Sequence, residues 1–346
     1  MSETGTDAIL SQARAWREAG RPVALATVLE TWGSAPRRPG AHMAVAGDGA
    51  FVGSVSGGCV EVAVVDEARG VLAEGRRRIV EYGVADEEAW AVGLACGGRI
   101  RVLVEPVGPA GLEDEVLDAL LGARGAGRAV VLATDLEGGG HLLTTPADPV
   151  VQGGRLQPGS WHDSVEDVLR LDEARVVGEA DTGLFLRPYN PPVRVVIVGA
   201  VHLAQALAPL VASVGYRPVV VDPRDAFASE ERFPGTRLVR RWPAEALDEL
   251  APDGRTAVVV VTHDPKFDDP ALIRALASPA FYVGALGSRR THARRLERLG
   301  AAGVSEGELG RIHAPVGLDI GARSPQEIAV AILAEIVGAL RRPDAV

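Results

Sequence analysis

The second half of the chain, from residue 193 onward, alternates short apolar runs with amphipathic helical patterns. The apolar runs are Val193–Val198, Pro218–Asp222, Ala257–Val261 and Phe281–Gly284. The helical patterns are Leu203–Val214, Ala244–Leu250, Ala271–Ala277, Arg289–Leu299 and Ser324–Leu340. Strands separated by helices are typical of parallel sheets covered by helices on both faces. We therefore predict a Rossmann-like, doubly wound parallel sheet for this half.

Two helix starts are predicted from side chains that cap free backbone N–H groups. Ser324 is followed by Pro325 and Glu327, which is the sequence of a capping box. Ser288 is placed to cap the helix that follows it.

The length of the chain indicates more than one domain. With 346 residues it is too long for a single ordinary core, and about two domains are expected. Consecutive prolines stop both a helix and a central strand, and Pro191 and Pro192 lie between the two halves. We predict an N-terminal α/β domain over residues 1–188, a linker at 189–192 and the Rossmann-like domain over 193–346.

The first half has mixed helix and strand patterns. The predicted elements are a helix over 7–19, a strand over 22–31, a hairpin of 42–46 with 51–55, a helix over 60–74 and strands over 76–82 and 99–105. Between 110 and 188 the signals are weaker, and nothing there indicates catalysis. We predict that His141 and His162 lie on the surface.

Composition limits the class of partner and the location. A hydrophobic fraction of 47% with 24% charged residues is typical of a soluble globular protein, and a net charge of −10 argues against general nucleic-acid affinity. No apolar run is long enough to span a membrane, and the first residues do not resemble a signal peptide. We expect a cytoplasmic protein, in which the two cysteines are reactive or metal-ligating more often than disulfide-bonded.

Both cysteines lie in glycine-rich turns. Cys59 precedes a predicted helix, and Cys96 precedes a predicted strand. A helix N-terminus favours anions through its free N–H groups and its dipole, so the first turn can hold a phosphate or stabilise a thiolate. We predict that the two turns share one site, formed by Ser56, Gly57, Gly58, Cys59, Cys96, Gly97 and Gly98. The alternative is that both cysteines are small buried residues beside tight turns.

A second candidate in the first half is the loop around Arg37 and Arg38. It contains two prolines and two glycines, which indicates an ordered loop, and its arginine pair supplies positive charge where a phosphate could dock. The alternative is that both arginines are simply solvated.

The turn after the first strand of the second half is close to a dinucleotide-binding fingerprint. Gly199 is the first glycine of the pattern, and Asp222 stands where a ribose hydroxyl is held. Val201 replaces the middle glycine, and its side chain hinders the approach of a pyrophosphate. We expect Gly199, His202 and Asp222 to contribute to ligand binding, but we do not expect tight binding of NAD(P).

Loops after later strands supply further candidates. His263 follows one strand, and Ser288, Arg289 and Arg290 follow the next. Ligands bind at the carboxyl edge of open α/β sheets, and arginines at a helix start favour an anion. The alternative is that the arginines pair with Glu297 and solvent and that His263 is structural. We further expect the cysteine turn and this arginine loop to serve one ligand.

Long motifs in both halves resemble the XdhC/CoxI family of accessory factors. In the first half these are GSAPRRPG, GSVSGGCVE and LACGG; in the second they are GAVHLAQAL, VVDPR, THDPKFDDPAL, YVGALGSRRTHARRLERL and IHAPVGLDIGARSPQEIAVAILAEIV. The resemblance covers roughly residues 10–105 and 193–340. The family usually reads GAGH where this chain has Gly199 to His202, so Val201 is a departure.

The resemblance implies a factor that binds molybdenum cofactor (molybdopterin), supports its sulfuration and hands it to an apo molybdenum hydroxylase of the xanthine dehydrogenase or CO dehydrogenase type. It places the family's cysteine motif on Cys59 and its glycine-rich, nucleotide-like motif on Gly199 to Ala204. Three roles stay open for Cys59 and Cys96: they ligate the metal, carry a persulfide or only line the pocket. It also implies a cysteine desulfurase as sulfur donor, a homodimer, and delivery rather than turnover. Two alternatives stay open: an NAD(P)-dependent oxidoreductase, and an interaction scaffold whose glycine turns are only structural.

Overall fold

The computed structural model describes residues 3–33, 37–83, 98–153, 156 and 159–342. The chain divides into two compact units, Glu3–Pro191 and the part that begins at Pro192. In the described residues, no helix is long and apolar enough to cross a membrane.

The N-terminal unit has four α-helices and ten strands in the described ranges. The helices are α1 (Glu3–Glu18), α2 (Glu61–Glu74), α3 (Asp114–Gly125) and α4 (Ser164–Leu171). The strands are β1 (Val23–Trp32), β2 (His42–Ala46), β3 (Phe51–Gly53), β4 (Arg78–Tyr82), β5 (Arg99–Pro106), β6 (Val130–Asp135), β7 (His141–Thr144), β8 (Pro149–Gly153), β9 (Arg175–Val177) and β10 (Leu184–Tyr189).

The strands of this unit form two antiparallel sheets of five strands each. The first has the order β3-β2-β1-β5-β4, and the second has the order β8-β7-β6-β10-β9. Alternate residues of β1 point to opposite faces: Ala24 and Ala26 pack with α2, whereas Val23 and Leu25 pack with α1, α3 and residues of the second sheet. The outer face of the second sheet packs against α4. The apolar side chains therefore lie in layers between helices and sheets.

The C-terminal unit alternates strands and helices, as the sequence predicts. Its strands are β11 (Arg194–Val198), β12 (Arg217–Val221), β13 (Arg237–Val239), β14 (Thr256–Val260), β15 (Tyr282–Ala285) and β16 (Ile312–His313). Its helices are α5 (His202–Ser213), α6 (Pro243–Leu250), α7 (Pro265–Leu276), α8 (Arg289–Ala301), α9 (Glu306–Leu309) and α10 (Pro325–Arg341).

All six strands pair in parallel, in the order β13-β12-β11-β14-β15-β16. Val195 and Ile197 of β11 pack against α5 and α10, whereas Val196 and Val198 pack against α6, α7 and α8. Helices thus cover both faces, and the predicted Rossmann-like doubly wound sheet is confirmed. The strand order reverses between β11 and β14, so the loops after these two strands border the crevice where such sheets receive ligands.

The predicted helix starts match the observed capping. Ser324 accepts a hydrogen bond from the Glu327 N–H while Glu327 bonds back to Ser324, which completes the capping box. The Ser288 side chain accepts from the Thr291 N–H at 3.2 Å. These short side chains set the first turns of α10 and α8. The first turn of α8 borders the carboxyl edge of the sheet.

The prediction that His141 lies on the surface is wrong. Its side chain is fully buried, with Nδ1 2.9 Å from a Glu113 oxygen and Nε2 3.1 Å from a Glu105 oxygen. Burial lowers the pKa of His141, but Glu105 and Glu113 outweigh burial and raise it to about 9. A buried ion pair of this kind cannot be read from local polarity, because both carboxylates come from other parts of the chain.

Candidate functional site

The glycine turn before α2 is organised around a carboxylate of its own sequence. Glu61 Oε1 accepts hydrogen bonds from the N–H groups of Val55, Ser56 and Gly57, and Oε2 accepts from the N–H of Gly58. Glu61 also accepts from two hydroxyls, each at 2.6 Å, and they belong to Ser54 and Ser56. The side chain of Glu61 is only 6% exposed. The turn is therefore pinned by six donors to one buried carboxylate.

The hydrogen bonds stabilise the charged form of Glu61. Although burial raises the pKa of this carboxyl, the Ser54 and Ser56 hydroxyls and the backbone N–H groups lower it to about 2. The remaining N–H groups of the turn, those of Cys59 and Val60, donate to the Ser56 hydroxyl oxygen at 3.0 Å. An anion that binds to the N–H groups of residues 55–58 would first have to displace Glu61. Glu61 was not among the predicted site residues, although it is the last residue of the motif GSVSGGCVE.

The turn presents Cys59 to solvent. Cys59 is a free, exposed cysteine, placed two residues before the first residue of α2. The next residue, Val60, is fully buried, and it anchors the turn to the core beneath α2. An exposed thiol on a rigid turn is available to a soft metal or to a sulfur-transfer partner.

The other residues predicted to share the cysteine site are only partly described. Cys96 and Gly97 lie outside the described residues, and Gly98 is buried directly before β5. In the part of the chain that the structure covers, no three His, Cys, Asp or Glu side chains group as metal ligands. The joint site of the two cysteines stays a prediction.

The loop that contains Arg37 and Arg38 is held at its C-terminal end by the buried Arg187. Arg38 is exposed and Arg37 is partly exposed. Arg187 donates from Nε to the Gly40 carbonyl oxygen at 2.6 Å, and a Cβ at Gly40 would lie 2.9 Å from that nitrogen. Gly40 also has a φ of 86°, which favours glycine. Arg187 thus fixes the end of this loop, and no local pattern around residue 187 indicates this contact.

Arg187 is part of a buried polar network that joins the two sheets of the N-terminal unit. Its guanidinium stacks 4.0 Å from the Tyr189 ring, and the Tyr189 hydroxyl lies 2.7 Å from His42 Nε2. His42 Nδ1 in turn lies 2.9 Å from the Thr27 hydroxyl. Burial, and then the charge of Arg187, hold the pKa of His42 well below 6.5. His42 is therefore neutral, and it positions side chains rather than carrying charge.

In the C-terminal unit, the Asp222 carboxylate is already hydrogen-bonded to other groups of the chain. Its carboxylate accepts from Arg224 Nε at 2.8 Å and Nη2 at 2.6 Å, and from the Ala200 N–H at 2.9 Å. Burial raises the pKa of Asp222, but the hydrogen bonds of Arg224 and Ala200 hold it below its usual value. A ribose hydroxyl at this carboxylate would compete with Arg224.

The turn between β11 and α5 retains its first glycine for a steric reason. Gly199 has a φ of 112°, and a Cβ there would lie 2.4 Å from Thr262 Cγ2 in the loop after β14. Val201 is the N-cap residue of α5 and packs partly against the core, and His202 is exposed at the first position of the helix. The loops after β11 and β14 therefore meet at the reversal of strand order.

His263, in that second loop, has an uncommon backbone conformation. It is exposed and has a φ of 66°, a region that non-glycine residues rarely occupy. The adjacent Thr262 hydroxyl donates to the Asp268 carboxylate, which is 3% exposed. Burial raises the pKa of Asp268 more than Thr262 and Arg295 lower it. Backbone strain of this kind clusters at functional sites.

The arginine loop lies at the same carboxyl edge, after β15. Ser288 caps α8, and Arg289 and Arg290 are exposed on its first turn. Arg295, one or two turns further along α8, is 1% exposed, and it was not among the predicted site residues. Its spacing of four residues from the buried Leu299 places it on the inner face of the helix, a signal that the sequence contained.

Comparison with family models matches both units. The model of the XdhC and CoxI family covers residues 16–83, and the model of the XdhC Rossmann domain covers residues 195–336. The first match contains Cys59 and Glu61, and the second contains the strands and loops of the C-terminal sheet.

Three known proteins are similar along most of their length. A probable xanthine dehydrogenase subunit of Bacillus subtilis (strain 168) is 29% identical over 326 residues, which is 92% of this chain and 93% of that protein. Molybdenum cofactor insertion chaperone PaoD of Escherichia coli (strain K12) is 32% identical over 318 residues, 92% of this chain and 83% of that protein. A crystal structure from Bacillus halodurans, described as a xanthine dehydrogenase, has a TM-score of 0.75 at 28% identity and covers 100% of this chain and 97% of its own. Because the identity to PaoD extends across most of both chains and the two family models match in order, this chain belongs to the XdhC and CoxI family.

Proposed function

We propose that this protein is an accessory factor that holds molybdenum cofactor and delivers it to an apo molybdenum hydroxylase of the xanthine dehydrogenase or CO dehydrogenase type. In this role the cofactor is cargo, and the protein performs no turnover of its own. The proposal includes support of sulfuration, with a cysteine desulfurase as sulfur donor, and a cytoplasmic homodimer as the working form.

The observation that carries the proposal is the exposed Cys59 thiol on its pinned turn. A delivery factor needs a ligand that a partner protein can reach, and molybdenum favours soft sulfur donors. Because Glu61 holds the backbone before the cysteine and the buried Val60 anchors the residue after it, the thiol is presented with little conformational freedom to lose on binding. The similarity to a protein named as a molybdenum cofactor insertion chaperone supports the same assignment.

The residues of the glycine turn before α2 have different roles. Cys59 would supply the sulfur contact to the metal, whereas the N–H groups of Ser56, Gly57 and Gly58 keep the turn closed on Glu61. The cofactor's phosphate then needs donors elsewhere. Arginine side chains form charge-assisted hydrogen bonds to phosphate, so we assign this task to exposed arginines such as Arg38 and Arg290.

A delivery assay tests the proposal. Purified protein loaded with molybdenum cofactor is mixed with an apo hydroxylase, and the hydroxylase activity that appears is measured. We expect Cys59→Ser to reduce the transferred activity at least tenfold, because a hydroxyl is a poor ligand for a soft metal. Circular dichroism of the variant should match the wild type, since Cys59 is exposed.

The matched control is Cys96→Ser, the same change at the other cysteine. We expect a smaller loss from Cys96→Ser, because Cys59 lies just before the start of α2, where the helix dipole favours a thiolate. Wild-type transfer by Cys59→Ser would contradict the proposed role of the thiol.

A further inference from the structure

Arg295 of α8 is a fully buried cation with few partners. Its Nη2 donates to the Leu286 carbonyl oxygen at 2.8 Å and lies 3.3 Å from Asp268 Oδ2. For Nε and Nη1, which are also buried, no hydrogen-bond partner exists among the described residues. Most of the donor capacity of this guanidinium is therefore unused.

Such an arrangement is costly unless it serves a ligand. A buried donor without an acceptor costs about 1 to 3 kcal/mol, and more where the group is charged. Asp268 alone does not offset this cost, because it reaches a single nitrogen at a long distance. Arg298 of the same helix is the contrast, since it is exposed and forms two short bonds to Asp269, at 2.6 and 2.9 Å.

The guanidinium of Arg295 lies close to the start of its own helix. Side chains on a helix lean toward its N-terminus, and Arg295 Nη2 bonds to the loop that precedes α8. A Cβ at Gly287 would lie 3.7 Å from this nitrogen, which is an ordinary contact, and 3.3 Å from Thr291, which is a tight one. Gly287 also has a φ of 141°, so both its space and its conformation suit glycine. The backbone of the loop can thus lie directly against the cation.

The first turn of α8 supplies a second set of donors. The first N–H groups of a helix have no acceptor within the helix. Ser288 accepts from Thr291, and no acceptor among the described residues takes the N–H groups of Arg289 and Arg290, which leaves them for an outside acceptor. A helix of this length also places its positive dipole end at this turn.

The groups around the guanidinium favour an anion there. His292 packs near Arg295, and burial, followed by the charge of Arg295, lowers the pKa of His292, so that this ring is neutral. His263 and Thr262 approach from the loop after β14 on the Asp268 side. Asp268 is the one acidic side chain that contacts Arg295 in the described residues. A further negative group would complete the pairing.

We propose that the first turn of α8, backed by the buried Arg295, binds an oxyanion of the phosphate class. The anion accepts from the N–H groups of Arg289 and Arg290 and takes up the unused donors of Arg295. Its ligand is a phosphate monoester or a diphosphate, because a tetrahedral, doubly charged oxyanion can accept from a helix start and from a guanidinium together.

This site deepens the proposed function and rests on it for the identity of the ligand, since the cargo named there carries a phosphate. It can nevertheless be tested without the cargo. Failure of phosphate binding would leave the role of Cys59 standing, and failure of cofactor delivery would leave the oxyanion site standing.

Calorimetric titration of the full chain with inorganic phosphate and with pyrophosphate, at constant ionic strength, tests the proposal. We expect a dissociation constant of about millimolar or tighter for the wild type. Arg295→Met should weaken binding at least tenfold, whereas Arg298→Met, the same change at an exposed position of α8, should leave it unchanged.

A second pair of variants tests the same site independently, in case Arg295→Met does not fold. Arg290→Glu reverses a charge on the exposed first turn, where an acidic side chain suits the helix, and it should weaken binding at least tenfold. Arg217→Glu makes the same change at the start of β12, on the opposite edge of the sheet, and should have no effect. Absence of binding by the wild type, or equal weakening by Arg290→Glu and Arg217→Glu, would overturn the proposal.

Discussion

Replacing Glu61 by Gln should destabilise the N-terminal unit substantially. The carboxylate accepts hydrogen bonds from four backbone N–H groups, and an amide offers only one acceptor oxygen to the same donors. The folded chain holds the pKa of Glu61 at about 2, compared with 4.5 without these partners. At about 1.4 kcal/mol for each pKa unit, the charged form contributes about 3 kcal/mol of stability.

The sign of the pH dependence follows from the direction of the shift. Because the pKa of Glu61 is lowered in the folded state, its contribution is fully present above pH 4.5 and is lost as the pH falls toward 2. The difference in free energy of unfolding between wild type and Glu61→Gln should therefore be about 2 to 3 kcal/mol near pH 7. It should shrink steadily as the pH is lowered through this window.

Urea unfolding followed by tryptophan fluorescence measures this difference. Four of the five tryptophans precede residue 192, so the signal reports mainly on the N-terminal unit. Glu18→Gln is the matched control, since this glutamate is exposed at the end of α1 and should change stability by less than about 0.5 kcal/mol. Equal stability of Glu61→Gln and wild type near neutral pH, or a difference that does not depend on pH, would refute the account of the pinned turn.

Three further outcomes are expected. His141→Gln should lower the free energy of unfolding most below pH 6.5, and this loss should vanish as the pH rises through about 9. The reason is that the partners of His141 stabilise its protonated form, and urea midpoints near pH 6 and pH 10 check the prediction. Calorimetry with NAD, NADH, NADP and NADPH should show no binding tighter than about millimolar, since Val201 replaces the close-approach glycine and Arg224 engages Asp222; micromolar affinity would favour the oxidoreductase alternative. Gly199→Ala should destabilise the C-terminal unit by about 1 to 3 kcal/mol in urea unfolding, because of backbone strain and the contact of the new Cβ with Thr262. Gly254→Ala is the control and should not destabilise it, since a Cβ at Gly254 would have no atom within 4 Å.

The fold of the C-terminal unit could be predicted from sequence because its signals are local. The alternation of apolar runs with helical patterns fixes the strand and helix order, and Ser324 with Glu327 forms a capping box within a single turn. The start of α2 was also predicted to within one residue, since the glycines before Cys59 cannot hold a regular strand or helix. Patterns of this kind depend on neighbours in sequence.

The groups that tune the candidate sites depend on distant neighbours, and this is why they were missed. Arg187 reaches Gly40 across 147 positions of sequence, and His141 is paired with two carboxylates that precede it by 28 and 36 positions. Glu61 is a local partner, but a glutamate at a helix start is common, and its role in closing the glycine turn becomes visible only in the hydrogen-bond pattern. The four-residue spacing of Arg295 and Leu299 indicated that both lie on the buried face of α8, but a charged residue is not expected to be buried.

The molybdenum and pterin content of the purified protein shows whether it carries molybdenum cofactor. Protein isolated from cells that make molybdenum cofactor should carry molybdenum and pterin in equal amounts, approaching one per chain, and Cys59→Ala should lose most of both while keeping its fold. Retention of both by Cys59→Ala would contradict the assignment of Cys59. If the wild-type protein contained neither molybdenum nor pterin, the role as a cofactor carrier itself would be contradicted.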